Sequence, residues 1–240
     1  MKAIVTGHSR GLGAAIAAEL LGRGIAVLGL SRQQNPILQR EFPALLTQHE
    51  IDLADTARLA AWLNGPALEQ FCRHEHDMAI ALINNAGTVQ PLGALASLAP
   101  IAVGQAVALN VAAPLMLAAA VAAMDAQERR ILHVSSGTGR DAYAGWSIYC
   151  ATKAALDHHA RAAALDGSSG LRLCSVAPGV IDTDMQAELR ATQEEVFPLR
   201  EQFHELKRQG HLLSSPTAAA RIVDFLLSDG FGAVPVAAFS

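Results

Sequence analysis

The stretch TGHSRGLG, residues 6–13, follows the short apolar run AIV (3–5) and leads into LGAAIAAELLGRG (12–24), where Ala, Ile and Leu recur at helical spacing. The turn therefore joins a buried strand to a helix. Such a junction presents unpaired backbone N–H groups and the positive end of a helix dipole, and the natural occupant is a phosphate. Gly7, Gly11 and Gly13 let the backbone bend sharply and approach that phosphate without Cβ clashes, with Ser9, Arg10 and Leu12 carried on the same turn. The spacing is G-x-x-x-G-x-G rather than G-x-G-x-x-G, so the turn alone predicts a phosphate cradle and leaves a plain tight turn open.

Working outward, short β-branched runs alternate with helical stretches. The segments 25–31, 78–84, 129–136 and 171–178 read as strands, and 11–23, 54–73, 101–127 and 149–166 as helices. This is the βαβ rhythm of a parallel, doubly wound α/β sheet of Rossmann type, flanked by helices on both faces. No linker or repeat divides the 240 residues, so one domain covering 1–240 is expected. Residues 184–213 hold most of the clustered charge and read as two amphipathic helices around Pro198, the place where α/β folds insert a small helical substrate lid.

Composition narrows the function classes. A formal net charge of -4 without a Lys/Arg cluster argues against nucleic acid or an anionic membrane as the main partner. Cys72, Cys150 and Cys174 lack C-x-x-C spacing and read as reduced thiols, and only three apolar residues lie between Lys2 and Thr6, so a cytoplasmic protein without a signal peptide is expected. No charged residue lies between Asp77 and Asp125, yet Asn84, Asn85, Gln105 and Asn110 together with Pro91, Pro100 and Pro114 argue against a membrane span. A helix apolar on every side is instead expected to be buried between its own sheet and another subunit.

Tyr149 and Lys153 in YCATK share one face of a helix. A nearby ammonium favours phenolate, so Lys153 is expected to lower the Tyr149 pKa toward useful acid–base chemistry. Ser136 ends a strand thirteen residues earlier, Asn110 lies in the preceding helix, NNAG (84–87) ends the fourth strand and PG (178–179) the sixth. These are the carboxyl ends of strands and adjoining helices, where open parallel sheets bind ligands. With T-G-x-x-x-G-x-G, N-N-A-G, Asn, Ser, Y-x-x-x-K and P-G in order over essentially its whole length, the chain resembles the short-chain dehydrogenase/reductase family.

The resemblance implies a catalytic set of Asn110, Ser136, Tyr149 and Lys153 with NADP(H) as cofactor. Tyr149 would protonate a carbonyl oxygen as hydride reaches the carbon, and act as base for alcohol oxidation. Lys153 would lower its pKa and hold the nicotinamide ribose, Ser136 would hydrogen-bond the substrate oxygen, and Asn110 would keep a relay water near Lys153. Asn85, Ala86 and Gly87 would line the cofactor, Asp52 and Leu53 would face adenine, and Pro178, Gly179, Val180, Ile181 and Thr183 would meet the nicotinamide end. Trp146 and Met185 would wall the substrate pocket. Dimers or tetramers through helices 101–124 and 149–166 are expected.

Within the family, GWSIYC (145–150), APGVIDTDMQ (177–186) and ELKRQGHLL (205–213) look most like the sepiapterin reductase branch, which includes reductases of aromatic α-diketones such as benzil. That branch's pterin-binding members anchor the pterin with an acid near the C-terminus, whereas this chain has none after Asp229. A less polar ketone or dicarbonyl is therefore the expected substrate, with a pterin reductase or an NADP-sensing regulator without turnover as alternatives. The second strand ends LGLSRQ, with no carboxylate to take a ribose 2′-hydroxyl. Ser31, Arg32 and Arg10 are expected to hold a 2′-phosphate, favouring NADPH by roughly 10²-fold.

A serine hydrolase is disfavoured by the lack of a G-x-S-x-G elbow. CRHEHD (72–77) reads as a solvated loop rather than a metal site, and no metal is expected. His158 and His159 read as surface or interface residues.

Overall fold

The structure is a computed structural model that describes residues 1–72 and 79–239. The first half runs β1 (Lys2–Thr6), α1 (Gly11–Gly22), β2 (Ala26–Ser31), α2 (Pro36–Glu41), β3 (Leu46–Glu50), α3 (Thr56–Leu63), α4 (Ala67–Cys72) and β4 (Ala79–Asn84). It continues with α5 (Pro100–Val107), a π turn (Ala108–Ala112), α6 (Ala113–Ala122), β5 (Glu128–Val134), α7 (Ser147–Leu165) and β6 (Leu171–Ala177). The chain closes with α8 (Asp184–Ala191), α9 (Arg200–Arg208), α10 (Ser215–Leu227) and β7 (Val236–Ala238).

The strands form one seven-stranded sheet in the order β3-β2-β1-β4-β5-β6-β7, parallel throughout. The order reverses between β1 and β4, and in such sheets the crevice beyond the strand ends at the reversal is where ligands bind. Both faces are covered, so the strands read as continuous apolar runs. Alternate residues feed two cores: Ala3, Val5, Ala81 and Ile83 pack with α1 and α10, while Ile4, Ile80 and Leu82 pack with α3 and α6. The doubly wound single domain expected from the sequence is what is observed.

Several boundaries differ from the sequence reading, each for a local reason. The helix expected over 54–73 is two, α3 and α4, because Gly65 and Pro66 interrupt it. The helix expected over 101–127 carries the π turn, since Pro114 has no N–H to return to the carbonyl of residue 110. Strand β3, LTQHE, is too polar to read as a strand because it is an edge and stays half exposed. Helices α2 and α10, capped by Asn35 and Ser214, and the short β7 also lie outside the stretches read from sequence.

By length and composition the rod from Pro100 to Ala122 could cross a bilayer, with a mean hydropathy of 1.8. In this fold Ala113, Leu117 and Val121 are buried against the sheet and Asn110 is bonded inside. The 184–213 segment forms α8 and α9, as its amphipathic pattern predicts. It closes on the body through Phe197, fully buried between them.

Candidate functional site

Thr6 fastens the first turn to the fourth strand. Its Oγ1 accepts from the backbone N–H groups of Asn85 and Ala86, both at 2.9 Å, and the Asn85 amide donates to the Thr6 carbonyl at 3.0 Å. The glycine turn is thereby held against NNAG at the point where the strand order reverses. Gly7 and Gly11 take positive φ, +72° and +56°. A Cβ on Gly13 would lie 2.1 Å from the Gly7 carbonyl oxygen, so α1 can start this close to β1 only with glycine there. These are the features of a cradle that a phosphate-bearing dinucleotide fits, because bare backbone faces the position in front of a helix N-terminus.

The π turn aims Asn110 at the other end of the crevice. Its side chain makes a paired contact with Thr88, accepting from the backbone N–H at 2.9 Å and donating to the carbonyl at 2.8 Å. It also donates to Thr152 Oγ1 at 3.2 Å, which ties the turn to α7. A Cβ on Gly87 would meet Asn110 Oδ1 at 3.3 Å and Lys153 Nζ at 3.9 Å, so Gly87 leaves the space between them open.

On α7, Tyr149 and Lys153 do share the inward face. The Lys153 ammonium donates to the Val134 carbonyl at 2.7 Å and lies 5.5 Å from the centre of the Tyr149 ring. Burial brings this lysine down to about 8, with Asp157 opposing the fall. The expectation that Lys153 lowers the Tyr149 pKa is not what the structure shows. Burial pushes the phenol up to about 12, and the hydrogen bond with Ser136 only partly opposes it. Losing water penalises a phenolate more than an ammonium directed at a carbonyl can recover. Tyr149 is thus a phenol that keeps its proton at neutral pH, beside a Ser136 whose Oγ also accepts from Thr138 N at 3.3 Å.

Beyond β6, Gly179 has φ +87°, and Val180 and Ile181 run beside Leu213. Pro178 is buried behind them, and Thr183, immediately before α8, lies against Gly11. Trp146 anchors an aromatic group next to Tyr149, with ring centres 5.2 Å from Tyr149, 4.9 Å from Phe197 and 5.6 Å from Phe203. Met185 and Leu189 pack on the same cluster, so the α8–α9 segment brings its apolar side to Tyr149.

The residues expected around a 2′-phosphate are arranged differently from one another. Arg32 is exposed at the end of β2. The Ser31 hydroxyl is buried and donates to the Gln33 carbonyl at 2.5 Å, so its proton is already engaged. Arg10 pairs with Asp184 of α8 at 2.9 Å, with both side chains largely exposed. Ser9 accepts from the Asn35 amide through its carbonyl, at 3.3 Å. Leu53 is buried below the crevice, and Asp52 is exposed with its carboxylate on Ala54 N at 3.0 Å.

The structure also assembles groups that the sequence reading missed. His8 is fully buried against Gly29, where a Cβ would lie 2.4 Å from the imidazole, and its Nε2 donates to Gln48 Oε1 at 2.7 Å. His133 in β5 lies between Asn84 and Ser175 of the neighbouring strands. Asn84 Nδ2 donates to the Pro114 carbonyl at 3.2 Å and to His133 Nδ1 at 3.1 Å. Burial lowers His133 to about 3, so it is neutral, carries its proton on Nε2 and donates to His159 Nδ1 at 3.1 Å. His159 is therefore half-buried and engaged rather than a surface residue, while His158 is exposed as expected. Asp157, one turn after Lys153, was visible at i+4 spacing to a lysine on a buried face. The other groups were not, because strand register and helix packing bring them together from distant parts of the chain. Of CRHEHD, residues 73–77 lie outside the described residues. Among the described residues no group of His, Cys, Asp and Glu is placed to hold a metal.

Residues 1–194 match the family model of the short chain dehydrogenases. The chain is 32% identical over 237 residues to a benzil reductase, (S)-benzoin forming, of Bacillus cereus, covering 95% of this chain and 94% of that protein. It is 32% identical over 244 residues to the sepiapterin reductase of Meriones unguiculatus, covering 95% and 92%. A short-chain dehydrogenase/reductase structure from Burkholderia vietnamiensis is 50% identical, with a TM-score of 0.72 over 98% of this chain and 94% of the other.

Proposed function

This chain belongs to the short-chain dehydrogenase family, and from that premise we propose that it is an NADPH-dependent carbonyl reductase acting on a ketone or dicarbonyl, with an aromatic diketone as the preferred class. The family's chemistry is oxidoreduction with NAD(H) or NADP(H). The observation that carries the reading is the convergence of a protonated Tyr149, Ser136, Lys153 and Asn110 around one crevice that begins at the glycine turn.

Gly7, Gly11 and Gly13 would hold the pyrophosphate, Asn85, Ala86 and Gly87 the adjoining ribose and ring edges, Asp52 and Leu53 the adenine, and Val180, Ile181 and Thr183 the carboxamide. When bound, the nicotinamide supplies the hydride that reduces the carbonyl carbon. Ser136 Oγ–H donates to the carbonyl oxygen and orients it. Tyr149 Oη gives that oxygen its proton, so the carbonyl becomes an alcohol. Lys153 would hold the ribose and stabilise the phenolate left behind, and proton return would run past Lys153 toward Asn110. Trp146, Met185, Phe197 and Phe203 exclude water from this end, with α8 and α9 as the lid, and their aromatic faces suit aryl groups. A regulator without turnover would not need the four residues together.

Oxidation of NADPH, followed against a panel of ketones, aromatic diketones and pterins, tests the reading. Turnover of a diketone is expected, and binding of NADPH without turnover of any carbonyl would return the regulator.

Arg32 and Arg10 supply the preference for NADPH. Arg10 has to leave Asp184, but an exposed ion pair is worth at most about 1 kcal/mol, so a charge-assisted bond to phosphate replaces it at small cost. With the Ser31 proton already engaged by the Gln33 carbonyl, the preference is expected at roughly tenfold to 10²-fold. Replacing both arginines by alanine is expected to weaken NADPH and leave NADH unchanged in fluorescence titrations. Equal affinity of the unaltered protein for both cofactors would return the choice of dinucleotide to NAD.

Assembly follows from the outer surface of the same helices. Ile101, Val107 and Leu165 are 74%, 42% and 87% exposed, and a twofold partner packed on α5, α6 and α7 would cover them. Sedimentation at micromolar concentration is expected to give a dimer or tetramer, and a monomer there contradicts it. No charge feature calls for nucleic acid or membrane, and a cytoplasmic enzyme is the reading that goes with reduced cysteines.

A further inference from the structure

We propose that Asp157 is a positioning residue for the reaction, one that holds Lys153 in its charged form and seats the loop carrying Ser136. The proposal rests on the reading of Lys153 as part of a reductase site. Asp157 and Lys153 lie one turn apart on the inner face of α7, 1% and 6% exposed. One carboxylate oxygen, Oδ1, accepts from Ser175 Oγ of β6 at 2.7 Å. The other, Oδ2, is buried without a hydrogen-bond partner. It is turned toward the loop after Ser136, where a Cβ on Gly139 would lie 2.9 Å from Oδ2 and 3.1 Å from the Lys153 carbonyl oxygen. The Gly137–Gly139 turn can rest on α7 only because Gly139 has no side chain, and the carboxylate lies at that contact.

The groups around the pair leave Asp157 as the counter-charge. Tyr149, one turn before Lys153, keeps its proton. His133 of β5 is neutral, and burial pushes the Cys174 thiol of β6 up to about 12. Ser175 is a neutral donor, and the 137–139 loop brings only Gly137, Thr138 and Gly139. The polar partner of the ammonium is the neutral Val134 carbonyl. A buried ammonium with a neutral acceptor loses its proton readily unless a nearby anion holds it, and Coulomb attraction acts across a helical turn when water is excluded.

The test uses the free protein, whose lysines are Lys2, Lys153 and Lys207, so that the Lys153 signal of protein labelled with ¹³C-lysine can be assigned and titrated by NMR. Unaltered Lys153 is expected to titrate near 8. In Asp157→Asn the midpoint is expected to fall by about one pH unit, because losing the anion disfavours the cation. The alkaline limb of turnover against pH is expected to move down by the same amount. Asp166→Asn, which removes an exposed carboxylate at the end of the same helix, is expected to change neither. A Lys153 midpoint that stays in place in folded Asp157→Asn overturns the proposal, as does a midpoint that moves without the limb. Should Asp157→Asn fail to fold, Asp157→Ser is expected to show the same shifts, and collapse of both variants assigns Asp157 to stability and overturns the positioning role. If the unaltered protein reduces no carbonyl compound, the reductase reading fails, while the lysine titration still decides whether Asp157 governs Lys153.

Discussion

Tyr149→Phe is expected to lower carbonyl turnover by roughly 10²-fold to 10⁴-fold while NADPH binds almost as before. The substitution removes one oxygen and keeps the ring, which is packed 5.2 Å from the Trp146 ring and 5.5 Å from the Lys153 ammonium. The ring packing is kept, and what is lost is the proton together with the hydrogen bond to Ser136. The phenol is held near 12, so the unaltered enzyme carries that proton throughout the neutral range and deprotonation of Tyr149 causes no alkaline-side loss there. The alkaline limb belongs to Lys153, near 8, and activity is expected to fall as pH rises through it. Rates of NADPH oxidation and fluorescence titration of NADPH on the same preparation separate chemistry from binding. A variant that retains most of its turnover would mean that another group, with Ser136 the nearest, supplies the proton.

Ser136→Ala is expected to cost on the order of 10²-fold in turnover, the scale for losing one donor to an oxygen on which charge develops. Ser136 has two jobs in the structure, and they carry different signatures. Its Oγ hydrogen-bonds the Tyr149 phenol, and it accepts from Thr138 N at 3.3 Å, capping the short turn that follows. Loss of the cap alone removes about 1 kcal/mol of stability and lowers the melting temperature by a few degrees. Loss of the donor lowers kcat, because the bond strengthens as the carbonyl oxygen gains charge. Thermal denaturation and steady-state kinetics together assign the effect. An unchanged kcat with a lowered melting temperature would leave Ser136 a loop residue only.

Much of the site could be read from the chain because its signals are local. TGHSRGLG needs glycine wherever φ is positive or α1 meets β1, and Tyr149 and Lys153 share a face because four residues are about one helical turn. Pro114 could also have been read locally, as a missing N–H four residues after Asn110, and the π turn is its outcome. Strand β3 was hidden for the opposite reason: its polar residues suit an edge, and an edge carries no continuous apolar run.

The sequence by itself determined the doubly wound sheet, the glycine cradle, the order of the motifs along the crevice and the helical segment over it, since each depends on backbone geometry or on hydrophobic period within a few residues. Only the tertiary structure decided that Tyr149 keeps its proton, that His133 is neutral and donates to His159, that the Ser31 hydroxyl is buried, and that Arg10 pairs with Asp184 at a separation of 174 residues. Protonation and pairing depend on which water is excluded and which distant atom comes within about 3 Å. Neither is set by neighbours in the chain, and both follow once strand register and helix packing have placed the groups together.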